Sequence, residues 1–351
     1  MTSDVMDDRP RVAVRAGMTI DPTLSTRGGC NGARWRASDS QGHYESWFVR
    51  ANHPREPLAL WIRYTLFSPA GRPSDAIGEL WAMVFDGERV VACRSEHPIA
   101  ACRVREDGLA VELPGARLED GALHGTVEHA GHRVAWSLTY EGTDAPLLLL
   151  PPARYRGGFP KAKTLVPAPM VRLRGTIDVD GETHVVDRWL GSQNHNWGTR
   201  HTDRYAWAQV AGFDDRDDAF LECASAKLRL GPLWTPWLTV AVLRIGEHEH
   251  RFNALSRSPF ADVSIDALSW RFSTRNDSAR LNVAIAAPRE RFVGLRYRNP
   301  PGGDKICLNS KLARCELELL PHDGAAQRLV TEHRAAFELL GDDAQGVPVV
   351  A

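Results

Sequence analysis

Residues 58–67 read LALWIRYTLF. On an extended chain Leu58, Leu60, Ile62, Tyr64 and Leu66 point one way, and Ala59, Trp61, Arg63, Thr65 and Phe67 the other. Such period-two alternation marks a strand. A sheet with one wet face would concentrate charge in one of these sets, yet both carry large apolar side chains. Two arrangements bury both faces. One is a curled sheet whose inner face lines a lumen while its outer face packs on a neighbour; the other is a sandwich core plus an interdomain contact. Lumens lined by aromatic side chains and a few polar groups bind apolar small molecules.

The same alternation recurs on both sides of this stretch. HYESWFVR (43–50), ELWAMVFD (79–86), RVVACRS (89–95), LHGTVEH (123–129) and HRVAWSLTY (132–140) read as strands joined by turns such as FDGE (85–88) and HAGH (129–132). The second half continues with VRLRGTIDV (171–179), ETHVVDRW (182–189), YAWAQVAGF (205–213), DAFLECASAK (218–227), WLTVAVLRI (237–245), RLNVAIAA (280–287), ARCELELL (313–320) and HRAAFELL (333–340). No segment keeps a helical period. The expected class is all-β, with two consecutive antiparallel barrel or sandwich domains and few short helices. Residues 146–169 are rich in Pro and Gly, and prolines cannot feed a central ladder. The expectation is therefore a linker there, between β domains at 25–145 and 170–345.

The totals narrow the function classes. The chain has 351 residues, 43% hydrophobic, enough for a sizeable core. Lys and Arg number 43 against 44 Asp and Glu, a net charge of −1 with no basic cluster, so no nucleic-acid partner is expected. The opening MTSDVMDDRPRVAV carries acids where a signal peptide carries bases, and PLLLLPP (146–152) is far too short to span a bilayer. A cytoplasmic protein without an integral membrane segment is expected. The six cysteines are scattered without a CxxC and read as buried free thiols. His248 and His250 share a strand face but lack a third ligand, and no nucleotide or hydrolase motif is present, so neither metal nor cofactor is expected. The oligomeric state is not legible.

WLGSQNHNWG (189–198), followed by TRHTDRYAWAQV, fits neither a plain turn nor a core strand. Two indoles crowd a turn, and Gln193, Asn194, His195 and Asn196 in a row do not suit a core. It reads as a turn between a strand ending near Trp189 and one starting near Tyr205, and as the candidate site. The stretch resembles the D-H-N-W-G … W-x-W-x-Q signature of a lipocalin-like family that includes carotenoid 1,2-hydratase (hydroxyneurosporene synthase), the AttH proteins, tocopherol cyclase and fungal decalin-forming Diels–Alderases. The matching positions are His195, Asn196, Trp197 and Gly198, then Tyr205, Trp207 and Gln209. YESWFVRANHP (44–54) and GELWAMVFD (78–86) also resemble the first domain of that family, and the likeness covers about residues 28–340.

That resemblance implies two lipocalin-like β domains side by side, with a pocket between them or in a barrel mouth. It also implies chemistry on isoprenoid or polyketide chains: C=C hydration, ring closure by protonation, or pericyclic closure. Other members carry no assigned activity. Asn194 stands where the hydratase and AttH branches have an acid, and Ser192 where they have a Tyr. Alkene protonation needs a strong acid held neutral by burial, so the proton would have to come from Asp187, Asp203, Glu222, Glu45 or Glu79.

The expected reading is a cofactor-independent enzyme that hydrates, isomerises or cyclises a C=C bond of an apolar substrate. His195, Asn196 and either Glu222 or Asp187 would handle the proton. Trp197, Tyr205, Trp207, Trp47 and Trp81 would shape the chain and face developing positive charge, with Gln209, Asn194 and Glu45 as polar contacts. A carrier of lipid or another hydrophobic ligand on the same fold is the alternative. In a third reading the motif only holds two β domains together: the tryptophans are core anchors, His195 bonds backbone, the asparagines cap a turn, and the glutamates pair with Arg50, Arg63 or Arg188.

Overall fold

The computed structural model describes residues 22–350, and the acidic opening stretch lies outside them. Each alternating segment quoted above lies largely within a strand. The first antiparallel sheet has two meanders. One is β1 (His43–Asn52), β2 (Leu58–Ser68), β3 (Ile77–Asp86) and β4 (Arg89–Pro98). The other is β5 (Arg103–Val104), β6 (Ala110–Leu113), β7 (Ala116–Glu119), β8 (Ala122–His129), β9 (His132–Glu141), β10 (Ala162–Val179) and β11 (Glu182–Gly198). β11 pairs with β1 and joins the two.

The second sheet holds β12 (Arg204–Phe213), β13 (Arg216–Lys227), β16 (Leu238–Ile245) and β17 (His248–Phe252) on one flank. On the other are β18 (Asp262–Asp266), β19 (Ser269–Arg275), β20 (Ala279–Ala286), β21 (Val293–Arg298), β22 (Asp304–Pro321) and β23 (Gln327–Gly341). β14 (Arg229–Leu230) and β15 (Leu233–Trp234) form a small hairpin outside both sheets.

Two expectations need correction. Residues 146–169 do not separate the sheets, because β10 and β11 belong to the first; the chain crosses to the second at 199–203. The prolines that suggested a linker are accommodated inside β10. Its register against β11 shifts between Leu165 and Ala168 and again between Ala168 and Val171, which is where Pro167 and Pro169 sit. A bulge needs no N–H from the extra residue, so proline is tolerated there. The second correction is that GSQNHNWG is not a turn but the end of a 17-residue strand. Its glycines serve close strand approach: a Cβ on Gly191 would lie 2.1 Å from the Arg50 carbonyl oxygen, and one on Gly198 would lie 2.3 Å from that of Lys161.

Burial of both faces follows from the curl. The first sheet bends until β4 rests on β8 and β9, and Trp47, Leu60, Ile62, Tyr64, Trp136 and Trp189 fill its lumen. The second sheet encloses Leu221, Leu243, Trp270, Phe272, Leu317 and Phe337. The outer faces meet, with Phe48, Trp61, Trp81 and Phe85 against Trp207, Leu295, Tyr297 and Leu340. Burial of such aromatic surface on both sides is the main stabilising term of the sheet-to-sheet contact.

A polar seam runs through that contact. Gln209 Oε1 accepts from Arg50 Nε at 2.8 Å and from Ser192 Oγ at 2.6 Å, while its Nε2 donates to Asn194 Oδ1 at 2.7 Å. Asn194 Nδ2 donates to Ser192 Oγ at 2.9 Å. An amide at 194 both donates and accepts here, which an ionised carboxylate cannot do. Asn194 and Ser192, the two departures from the signature, are thus each other's partners. Asn194 and Gln209, expected as substrate contacts, join the sheets.

Candidate active site

β11 splits the motif by alternation. Gln193, His195 and Trp197 face a cap made by a short helix, Arg27–Asn31, whose N-terminus is closed by Thr26 accepting from Gly29. Gln193 exchanges amide hydrogen bonds with Asn31 at 2.8 and 2.9 Å. His195 Nδ1 lies 2.7 Å from the Cys30 carbonyl oxygen and Nε2 lies 2.8 Å from Glu45 Oε1. Both ring nitrogens thus face oxygen atoms of fixed groups. Glu45 also accepts from the backbone N–H groups of Arg34 and Trp35, each at 2.8 Å, and contacts His43 Nε2 at 3.1 Å. Burial alone would raise the Glu45 pKa, but the hydrogen bonds from His195 and His43 hold it down at about 2. Trp47 stacks on His195 with ring centroids 4.8 Å apart, and its Nε1 donates to the Asn31 carbonyl. Trp197 packs with Leu24, Cys30, Tyr155 and Leu165. His195, Glu45, Trp47 and Trp197 therefore lock the cap to the sheet.

Asp187 is exposed and paired with Arg174 at 2.7 Å. An exposed, ion-paired carboxylate outside the cavity is not a buried proton donor, so that expectation is corrected. Trp81 lies within the sheet-to-sheet core under Arg94, 4.5 Å from its ring centroid, with its edge on Tyr297.

Asn196, on the other face of β11, borders a cavity of about 550 Å³ between the sheets. Tyr205 and Trp207 line it too. One end is apolar, with Leu149, Leu150, Leu228, Leu238, Val240 and Leu255. The other end is polar and aromatic, with Tyr44, Arg63, His201, Tyr297 and Glu338, and the indoles of Trp61 and Trp207 also line the cavity. His201 is sandwiched between Tyr44, at 4.0 Å, and Tyr297, at 5.7 Å, and the Arg63 guanidinium lies 4.6 Å over Tyr297. Burial, aided by the Arg63 charge, pulls the His201 pKa down to about 3, so this ring is neutral at pH 7.

Glu338 Oε1 accepts from Lys311 Nζ at 3.0 Å and Asn309 Nδ2 at 2.8 Å, and Oε2 accepts from the Tyr205 hydroxyl at 3.2 Å. Burial would raise its pKa, but the Lys311 cation holds it below the ordinary carboxylate value. Tyr205 is pushed far up by burial and remains a phenol.

Glu222 lies one row from the lining, on the same sheet face as Ala224 and Val240. It accepts from Trp207 Nε1 at 3.2 Å and its Oε2 has no partner. Burial raises its pKa to about 7 against the weaker pull of Trp207 and Arg50. The folded protein thus favours the protonated form, so the associated stability is full below the ordinary carboxylate pKa and is lost as pH rises through 7. The Trp207 emission should titrate near pH 7, and Glu222→Gln should abolish that titration.

No protein-family profile matches the chain. Two uncharacterised proteins of Mycobacterium tuberculosis, from strains H37Rv and CDC 1551, are each 25% identical over 292 residues, 82% of this chain and 83% of theirs. A solved AttH-like protein of Nitrosomonas europaea superposes with a TM-score of 0.55 at 14% identity, covering 87% of this chain and 94% of that one. The fold is the lipocalin-like AttH fold. Kievitone hydratase of Nectria haematococca shares the architecture, with a TM-score of 0.56 at 10% identity over 92% of this chain and 99% of that one.

Within the AttH fold of this chain, the motif contributes Asn196, Tyr205 and Trp207 to the cavity. Arg63, His201, Glu338 and the wall at 149–164 were not anticipated. Arg63 in LALWIRYTLF, Lys311 in NSKLA and Glu338 in AAFELL shared one signal: a charge at an inward position of an apolar strand, costly unless it is paired or used.

Proposed function

We propose that the chain is a cofactor-independent enzyme that hydrates, isomerises or cyclises a C=C bond in an apolar isoprenoid- or polyketide-like molecule, at a double bond conjugated to a carbonyl. The observation that carries this reading is Arg63. It is 5% exposed and lines a largely apolar cavity. Its NH2 donates to Ser46 Oγ at 2.7 Å, its Nε has no partner, and no carboxylate lies within 4 Å of it among the described residues. A buried guanidinium needs an acceptor, and a carbonyl oxygen that becomes an enolate is one whose charge grows during reaction. Protonating an isolated alkene would need a neutral strong acid on the wall, whereas Glu338 there is ionised and Glu222, which holds its proton, lies one row outside the lining. That favours a carbonyl-activated bond.

In a conjugate hydration, the water oxygen bonds to the β-carbon and the π pair moves onto the carbonyl oxygen held by Arg63. The water proton passes to Glu338 and returns at the α-carbon. Asn196 Oδ1, buried without a partner at the wall, suits a substrate hydroxyl or the water. Trp61 and Trp207 flank the reacting plane. The test is solvent exchange. Apolar enones of roughly 15–25 non-hydrogen atoms incubated with the protein in D2O should gain deuterium at the α or γ carbon, read by NMR. The carrier reading is favoured by the full occupancy of Glu338 by Lys311, Asn309 and Tyr205; binding without exchange above the buffer rate would establish it instead.

A further inference from the structure

Eight large hydrophobic side chains are exposed among the described residues, and five of them belong to segments that supply cavity wall: Phe159, Leu230, Leu233, Trp234 and Phe260, from 41% (Trp234) to 84% (Phe260) exposed. Phe159 itself lines the cavity. Leu230, Leu233 and Trp234 form the tip of the β14–β15 hairpin, which belongs to neither large sheet. The flanks of that hairpin, Leu228 and Leu238, are cavity wall, and Leu228 is tied to Thr235 by hydrogen bonds of 3.0 Å. Phe260 follows the lining residue Ser258 by two positions. Monomers rarely expose clustered apolar side chains of this size.

Cations outnumber acids around the mouth, where Asp203 is paired with Arg200 at 2.5 Å. Arg154, Lys161, Arg204, Lys227 and Arg229 stand at or beside the lining, and none of their side-chain cations has a carboxylate within 4 Å among the described residues; Asp203 meets Arg229 only at its backbone N–H, at 2.9 Å. The Arg204 guanidinium lies 5.0 Å over Trp234 and the Lys227 ammonium 5.0 Å over Trp237. The whole chain carries a net −1, so this basic rim is local. Apolar tips with aromatic rings, collared by unpaired cations, complement a bilayer interface that contains anionic lipid. An apolar guest is itself concentrated in such a bilayer, and the hairpin continues directly into the cavity wall.

We propose that the cavity mouth docks on an anionic membrane surface through the 229–237 hairpin, Phe159 and Phe260, so that an apolar ligand enters without crossing water. The inference rests on the cavity taking an apolar guest, not on the reaction. Docking is measured without substrate, so its failure and a failure of turnover are separate results. The full chain is sedimented with vesicles of phosphatidylcholine mixed with phosphatidylglycerol, and with phosphatidylcholine alone. Expected are partitioning onto the anionic vesicles that weakens with salt and a blue shift of Trp234 emission. The variant Leu230→Ser/Leu233→Ser/Trp234→Ser should partition about tenfold less or weaker, with an unchanged unfolding midpoint because the tips are exposed. No partitioning by the parent chain, or equal partitioning by the variant, overturns the proposal. So does a dimer in solution that the same substitutions dissociate, which would make a second copy of the chain the occupant.

Discussion

Glu338→Gln is expected to lower the exchange or turnover rate by about 10²–10⁴-fold, the usual contribution of a positioned proton-transfer group. The amide cannot take a proton, but it keeps the shape beside Tyr205 and Asn309. Arg63→Met should produce a loss of about 10²–10³-fold by removing the donors to the developing enolate oxygen, while the methionine fills most of the volume beside Tyr297. The pH profile gives an independent check. Lys311 holds the Glu338 carboxyl below the ordinary carboxylate range. The ionised form therefore persists through neutral pH, and activity should fall only as pH drops below that range. His201, neutral down to about pH 3, should add no limb near neutrality. Unchanged rates in both variants would remove the proton-transfer reading of the cavity and leave ligand binding.

Glu45→Gln is expected to lower the unfolding free energy by about 1–3 kcal/mol at pH 7, as leaving buried hydrogen-bond donors unsatisfied does. Glu45 gathers two backbone N–H groups and two histidines on one carboxylate. The substitution weakens the hydrogen bond to the His195 ring, which is also fully buried. The parent chain should show the matching acid dependence. Its Glu45 pKa is about 2, below the ordinary 4.5, so the folded state favours the ionised form. The stability this brings is present above pH 4.5 and is lost as pH falls toward 2, by about 3 kcal/mol in all. Urea titrations at neutral and acid pH measure both quantities, and the variant should lack that component of the acid slope. A variant with the parent's urea midpoint would mean that the cap does not depend on this cluster. Since neither Glu45 nor His195 borders the cavity, ligand binding per folded molecule should survive.

The signature and the cavity overlap only in part, for a reason visible in β11. Side chains of a strand alternate between faces, so consecutive motif residues serve two neighbourhoods. His195 and Trp197 go to the helical cap, while Asn194 and Asn196 go to the second sheet. Reading the motif as one site merged them. Asp187 was equally readable as inward or outward, because the strand around it mixes charge on both faces. The boundary at 146–169 was misplaced because proline reports a local incapacity to donate a hydrogen bond. It does not report whether a bulge removes the need.

What the sequence determined by itself was most of the longer strands, their all-β class, the burial of both faces of β1 to β3, and the resemblance that the lipocalin-like architecture bears out. These follow from spacing along the chain, where a period of two is a property of neighbours. What only the tertiary structure decided was which faces meet. Arg63 on β2 and Glu338 on β23 come from opposite ends of the sequence. They share a cavity because two curled sheets pack outer face to outer face, and no local pattern encodes that pairing. The chemistry sits where the packing is non-local, so the chain showed the costly inward charges, and the fold showed which of them stand together.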